Sequence, residues 1–114
     1  MSQITTHILD TATGQPAAGV NLSLTRQSGD GQWQALARGV TNADGRVPNL
    51  LPDEMSLPAG TYRMHFDTGN YFEKREQPAF YPFVDVVFSI DGSGEHYHIP
   101  LLLSPFGYST YRGS

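Results

Sequence analysis

Apolar and polar residues alternate with a period of two along most of this chain, the spacing of strands whose successive side chains point to opposite faces. Ile4, Thr6 and Ile8 alternate with Thr5, His7 and Leu9. The same rhythm recurs at Val20-Leu22-Leu24, Tyr62-Met64-Phe66, Val84-Val86-Phe88-Ile90 and Tyr97-Ile99-Leu101-Leu103. Turn residues separate the runs: Thr13-Gly14-Gln15-Pro16, Ser28-Gly29-Asp30-Gly31 leading into 32–41, Asn42-Ala43-Asp44-Gly45, and Asp91-Gly92-Ser93-Gly94. Short strands at this spacing predict an all-β fold, an antiparallel β-sandwich, as one domain over residues 1–114. One helix of about two turns is expected at 71–76, capped by Asp67 or Thr68 and stopped by Pro78. The stretch 47–60, with Pro48, Pro52 and Pro58, reads as a long connection. The run from Pro100 to Tyr108 reads as a strand that leads without a spacer into the tail Tyr111-Arg112-Gly113-Ser114. Pro100 lacks a ladder donor, so a bulge or an open edge is expected beside it.

The alternation also assigns faces. If Ile4 and Ile8 point to the core, His7 points away from it. If Tyr97, Ile99, Leu101 and Leu103 point inward, His96 and His98 point outward with Leu102. Leucine on an outer face, punctuated by histidine, points to a subunit interface that encloses a polar site, and hence to a homo-oligomer. His65 reads as a surface residue without a role.

Composition narrows the chemistry. The 114 residues contain no cysteine, which excludes disulfides, thiolate nucleophiles and sulfur-ligated zinc. Eleven acidic residues against seven Lys and Arg leave no basic stripe for nucleic acid. Six of those seven cations are arginine, whose planar fork suits amides, ureas and carboxylates. The apolar runs are strand-sized, so no membrane span is expected, and no secretory signal opens the sequence; cytoplasm is the expected compartment.

The candidate site residues are His7, Arg46, His98 and the tail. His96-Tyr97-His98 sets two imidazoles on one strand face, a pair suited to metal binding or to acid–base work; the plain alternative is a polar surface. His7 is the one evident third ligand and no carboxylate spacing supports it, so no metal is expected. Arg46 follows a turn, where most arginines are simply solvated. Gly113 permits a close backbone approach, and Ser114 offers a hydroxyl beside a terminal carboxylate. There is no Gly-x-Ser-x-Gly elbow, phosphate loop or dinucleotide fingerprint.

Several segments together carry a family resemblance. They are Thr6-His7-Ile8-Leu9-Asp10 with Gly14, Pro16, Ala17 and Gly19-Val20; Thr41-Asn42-Ala43-Asp44-Gly45-Arg46; Phe80-Tyr81-Pro82-Phe83-Val84; and the block from His96 through Pro105 to Ser114. In these the chain resembles the transthyretin-related family, and the Tyr-Arg-Gly-Ser ending resembles its hydrolases rather than its hormone carriers. The resemblance implies a transthyretin-like (prealbumin-like) sandwich of two four-stranded sheets with one short helix. It also implies a homotetramer, a dimer of dimers, with sites where dimers meet. The implied reaction is hydrolysis of 5-hydroxyisourate, a product of urate oxidation, with no metal or organic cofactor. It casts His98 and His7 as water-activating and proton-shuttling groups and Arg46 as the group that orients the substrate and stabilises the oxyanion. Tyr111, Arg112 and Gly113 then close the pocket and Ser114 positions water. Two rival readings are a transthyretin-like small-ligand carrier without catalysis and a structural sandwich domain indifferent to loss of residues 111–114.

Overall fold

A computed structural model describes residues 2–114. Eight strands and one helix follow one another as β1 (Ile4–Asp10), β2 (Gln15–Pro16), β3 (Asn21–Gln27), β4 (Trp33–Val40), β5 (Gly60–Phe66), α1 (Thr68–Lys74), β6 (Val84–Ile90), β7 (Tyr97–Ser104) and β8 (Gly107–Thr110). They form two four-stranded sheets, ordered β2-β1-β7-β8 and β4-β3-β5-β6. The expected sandwich with a single short helix is present. All strand pairs are antiparallel but one: β1 runs parallel to β7, with Thr5 beside His98, His7 beside Pro100 and Leu9 beside Leu102. A parallel pair needs a long crossover, and here the whole second sheet and the helix lie between its two strands.

The period-two pattern becomes a core between the sheets. Ile4, Ile8, Leu101 and Leu103 from the first sheet meet Leu22, Leu24, Tyr62, Met64, Phe66 and Val84 from the second, all buried. Each such side chain contributes about 1.5–3 kcal/mol by leaving water. The outward residues of β1 (Thr5, His7 and Leu9) are only half-buried, as the alternation requires.

Three local expectations are corrected. The run 100–108 is not one strand: Pro105-Phe106 turns the chain between β7 and β8. Proline cannot extend a ladder there, and Ser104 Oγ donates to the Gly107 carbonyl across the turn (3.0 Å). The segment 13–16 is not only a turn, since Gln15 and Pro16 pair with Asp10 and Leu9. The helix begins three residues earlier than expected and ends at Lys74; Asp67 occupies its N-cap position, but no side chain makes the capping bond. The Gly69 N–H goes instead to the Pro82 carbonyl at 3.0 Å.

Pro100 sits in an inner strand without penalty. Its missing N–H falls on the β8 side, because its carbonyl accepts from Thr110 Oγ1 there (2.7 Å). The β7–β8 ladder ends at the Leu101–Thr110 pair and resumes only at the His98–Gly113 bridge, so the gap lies at the proline. At the far end of β1, buried Asp10 accepts from Tyr71 OH (2.8 Å) and from Ala12 N–H (3.0 Å), tying the strand to the helix. Burial, reinforced by Asp10, pushes the Tyr71 phenol up to about 12. Among the described residues no helix is long and apolar enough to cross a membrane.

Candidate active site

The outer face of the β1–β7 pair carries the candidate chemistry. The parallel register sets Thr5 directly beside His98 and places His7 one outward position further along, next to Pro100. His98 is half-buried and clamped from three directions. Thr5 Oγ1 lies 2.8 Å from its Nδ1. The Gly113 N–H donates to its carbonyl at 2.9 Å. The Gly113 Cα packs so close that an added Cβ would sit 2.5 Å from the ring carbon Cδ2. No residue with a side chain fits that position beside the ring.

Arg46, exposed, sits on a built turn beside β1. Asn42 Oδ1 accepts from the backbone N–H groups of Asp44 (2.9 Å) and Arg46 (3.1 Å), and the Asn42 N–H closes the loop on the Arg46 carbonyl (2.8 Å). The Gly45 carbonyl accepts from Ile8 N–H at 2.9 Å, which docks the turn on the free edge of β1 next to His7. Gly45 has φ +73, and a Cβ there would lie 2.5 Å from the Ile8 carbonyl oxygen. Gly45→Ala should therefore cost about 1–3 kcal/mol from the backbone conformation alone, shift Arg46, and lower both the melting temperature and activity. Unchanged values for both would show that the docking is not needed.

His98 loses proton affinity in this setting. Burial disfavours its charged form first, and the charges of Arg46, His96 and His7 add to the effect; a hydrogen bond with the Thr5 backbone opposes it in part. His96 precedes β7 and is exposed; its Nε2 lies 2.8 Å from the same Thr5 hydroxyl, and its ring is nearly parallel to that of His98. No group of three or more His, Asp or Glu residues suited to a metal ion occurs among the described residues.

The tail divides between two faces. Gly113 is at His98, and Ser114 follows it, exposed. Tyr111 is 60 % exposed. Arg112, one position before Gly113, turns the other way. Its guanidinium pairs with Glu95 and lies over the ring of inward-facing Tyr97, 4.8 Å from the centroid. There it lines a groove of about 330 Å³ between the β6 edge and the tail, with Val87 and Phe88. The contacts of Arg112 thus lie apart from His7, Arg46 and His98, although the sequence groups it with them. Thr5 is the residue that sequence reasoning missed. Its signal was available, since it lies two positions before His7 on the same face, but the β1–β7 pairing that makes it matter was not. His65 carries more than the plain surface reading gave it: it bonds Asp85 through Nδ1 at 2.6 Å and packs on Phe83, on the second sheet.

Residues 4–113 match the model of the HIUase/Transthyretin family. The chain belongs to that family. A mouse relative described as 5-hydroxyisourate hydrolase is 50 % identical over 114 residues, covering 99 % of this chain and 96 % of the relative. The structure of Klebsiella pneumoniae 5-hydroxyisourate hydrolase superposes with a TM-score of 0.84 at 40 % identity, covering 97 % of this chain and 98 % of that one. Sea bream transthyretin, in complex with thyroxine, superposes with a TM-score of 0.92 at 38 % identity, covering 98 % of this chain and 95 % of that one. Family membership therefore settles the scaffold. The scaffold carries both a hydrolase and a hormone binder, so the choice between them rests on side chains.

Proposed function

We propose that this chain hydrolyses 5-hydroxyisourate to 2-oxo-4-hydroxy-4-carboxy-5-ureidoimidazoline. One observation carries the reading: His98 is clamped on the outer face of the β1–β7 pair between the Thr5 hydroxyl and the Gly113 backbone, and its burial there disfavours the protonated form. A clamped imidazole with lowered proton affinity suits a general base better than a surface for passive binding. The relatives described as 5-hydroxyisourate hydrolase supply the substrate.

The chemistry is acyl transfer to water. His98 takes a proton from water as the oxygen attacks the ring carbonyl carbon. The carbonyl electrons move to oxygen, and the Arg46 fork stabilises the resulting oxyanion. Collapse breaks the carbon–nitrogen bond, and the nitrogen leaves with its electron pair and takes a proton from His98 Nε2, with His7 as the shuttle. Gly113 keeps the His98 ring in place. Tyr111 and Ser114 border the substrate at the mouth, Ser114 through its hydroxyl.

We also infer a homotetramer, a dimer of dimers, working in the cytoplasm. The outer strands β6 and β8 have unpaired edges next to one another, and Val87 (56 % exposed), Tyr108 (42 %) and Tyr111 leave large apolar surface there. Sedimentation at micromolar concentration should give the mass of four chains; a monomer would refute the assembly.

The decisive assay is optical. Urate oxidase acting on urate generates the unstable substrate, and its absorbance should decay at a rate proportional to added protein. Binding without turnover, as in thyroxine carriage, would leave the decay unchanged. The pH dependence follows from His98. Its folded-state pKa lies below the ordinary 6.5, so the neutral base persists into mildly acidic solution, and kcat/KM should fall on the acid side with an apparent pKa under that value. The same depression makes the unfolded chain bind the proton first. Its contribution to stability is complete above pH 6.5 and is lost as pH falls through the folded-state value. His98→Gln should abolish this acid limb; a limb that survives the change belongs to another group.

A further inference from the structure

The Thr5 hydroxyl is shared by two imidazoles. It lies 2.8 Å from His98 Nδ1 and 2.8 Å from His96 Nε2, with the two rings stacked 6.4 Å apart at an interplanar angle of 20°. A hydroxyl has one proton, so it donates to one ring and accepts from the other. Two arrangements satisfy both bonds. Either His98 Nδ1–H donates to Thr5 and Thr5 donates to His96, or His96 Nε2–H donates to Thr5 and Thr5 donates to His98. The two differ only by the position of protons along one line of atoms, from a half-buried ring to an exposed one.

We propose that Thr5 and His96 form a proton wire that sets the tautomer of His98 and drains its proton to solvent. The proposal rests on the hydrolase reading above. At rest His98 carries its proton on Nδ1, directed at Thr5, and Nε2 is bare, as a base must be. When Nε2 takes the proton of water, Nδ1–H passes its proton to Thr5 Oγ1. Thr5 passes its own proton to His96 Nε2. His98 ends neutral with its proton on Nε2, Thr5 is unchanged, and His96 becomes imidazolium and exchanges with bulk water. As His98 gives Nε2–H to the leaving nitrogen, a proton returns along the wire, from His96 Nε2 to Thr5 and from Thr5 to His98 Nδ1, so His98 ends neutral in its resting tautomer. Burial of His98 and the charge of Arg46, on the 42–46 turn, favour this discharge, and a protonated His7 on β1 adds to it; His96, exposed and able to pass its proton to water, receives it. Thr5 is thus a positioning residue, and His96 is the solvent terminal of the wire.

Two readouts test it. Ring-¹⁵N histidine spectra of the free protein near pH 7 should show His98 protonated at Nδ1 and bare at Nε2. Thr5→Val, which keeps the branched shape and removes the hydroxyl, should mix the tautomers, and Thr5→Ser should restore the original one. Turnover in dilute buffer should fall about tenfold in Thr5→Val and in His96→Gln, and added imidazole should rescue His96→Gln by taking over the exposed end. A resting His98 protonated at Nε2, or His96→Gln at wild-type turnover in dilute buffer, would overturn the wire. A wild-type protein without hydrolase activity would sink the functional reading instead, while the spectra still decide the tautomer.

Discussion

His98→Ala is expected to lower kcat by about a hundredfold or more, with the fold retained. The substitution removes the group proposed to deprotonate water, and a positioned acid–base group supplies about a hundredfold to ten-thousandfold. The half-buried ring is not part of the inter-sheet core, so stability should change little. Arg46→Ala should have an effect of the same order, because it strips the oxyanion of its charged donor. If both groups serve one transition state, the double variant loses less than the product of the two single losses. Circular dichroism and sedimentation confirm that each variant is folded, and stopped-flow absorbance gives the rates. A folded His98→Ala protein with near-normal turnover would remove His98 from the mechanism.

Gly113→Ala should cut turnover by about a hundredfold through a single methyl group. The new carbon would lie 2.5 Å from His98 Cδ2, 3.1 Å from Cγ and 3.2 Å from Cβ. The ring cannot retreat freely, because Thr5 holds Nδ1 on another side. Either the imidazole swings out of line or the Gly113–His98 backbone bond breaks and the tail lifts. Misplacement of a catalytic group by about 1 Å costs on this scale. The melting temperature should barely move, since Gly113 lies in the tail and outside the core. A large loss of stability with normal turnover per folded molecule would show that the glycine serves the fold instead.

Much of the scaffold was legible in residue order. Alternation placed Ile4, Ile8, Leu22, Leu24, Met64, Phe66, Leu101 and Leu103 inside, and they are there. It also set His7 and His98 on outer faces. Periodicity, however, reports which face a residue takes and not which strand lies beside it. The parallel pairing of β1 with β7 joins residues more than 90 positions apart, and nothing local to either strand encodes it. Thr5 was therefore invisible as a partner of His98 and His96. The hairpin at 105–106 was hidden by the apolar run Leu101-Leu102-Leu103, although Pro105 and Gly107 marked the turn. The family resemblance grouped Arg112 with Gly113, but the tail beyond β8 sends its side chain to other partners. Its actual partners, Glu95 and Tyr97, follow from the register of the tail against β7.

The scaffold alone does not distinguish catalysis from carriage, since a thyroxine-bound transthyretin fits it closely. On the proposed reading, catalysis depends on groups drawn from distant segments: His7 from β1, Arg46 from a turn docked on that strand's edge, His98 from β7, and a glycine tail packed on the imidazole. The most direct measurement follows the absorbance of freshly generated 5-hydroxyisourate with the intact chain and with a version lacking residues 111–114. Rapid loss with the intact protein, and near-spontaneous loss with the shortened one, is the expected result. Equal rates for the two, or an intact protein no faster than buffer, would contradict it.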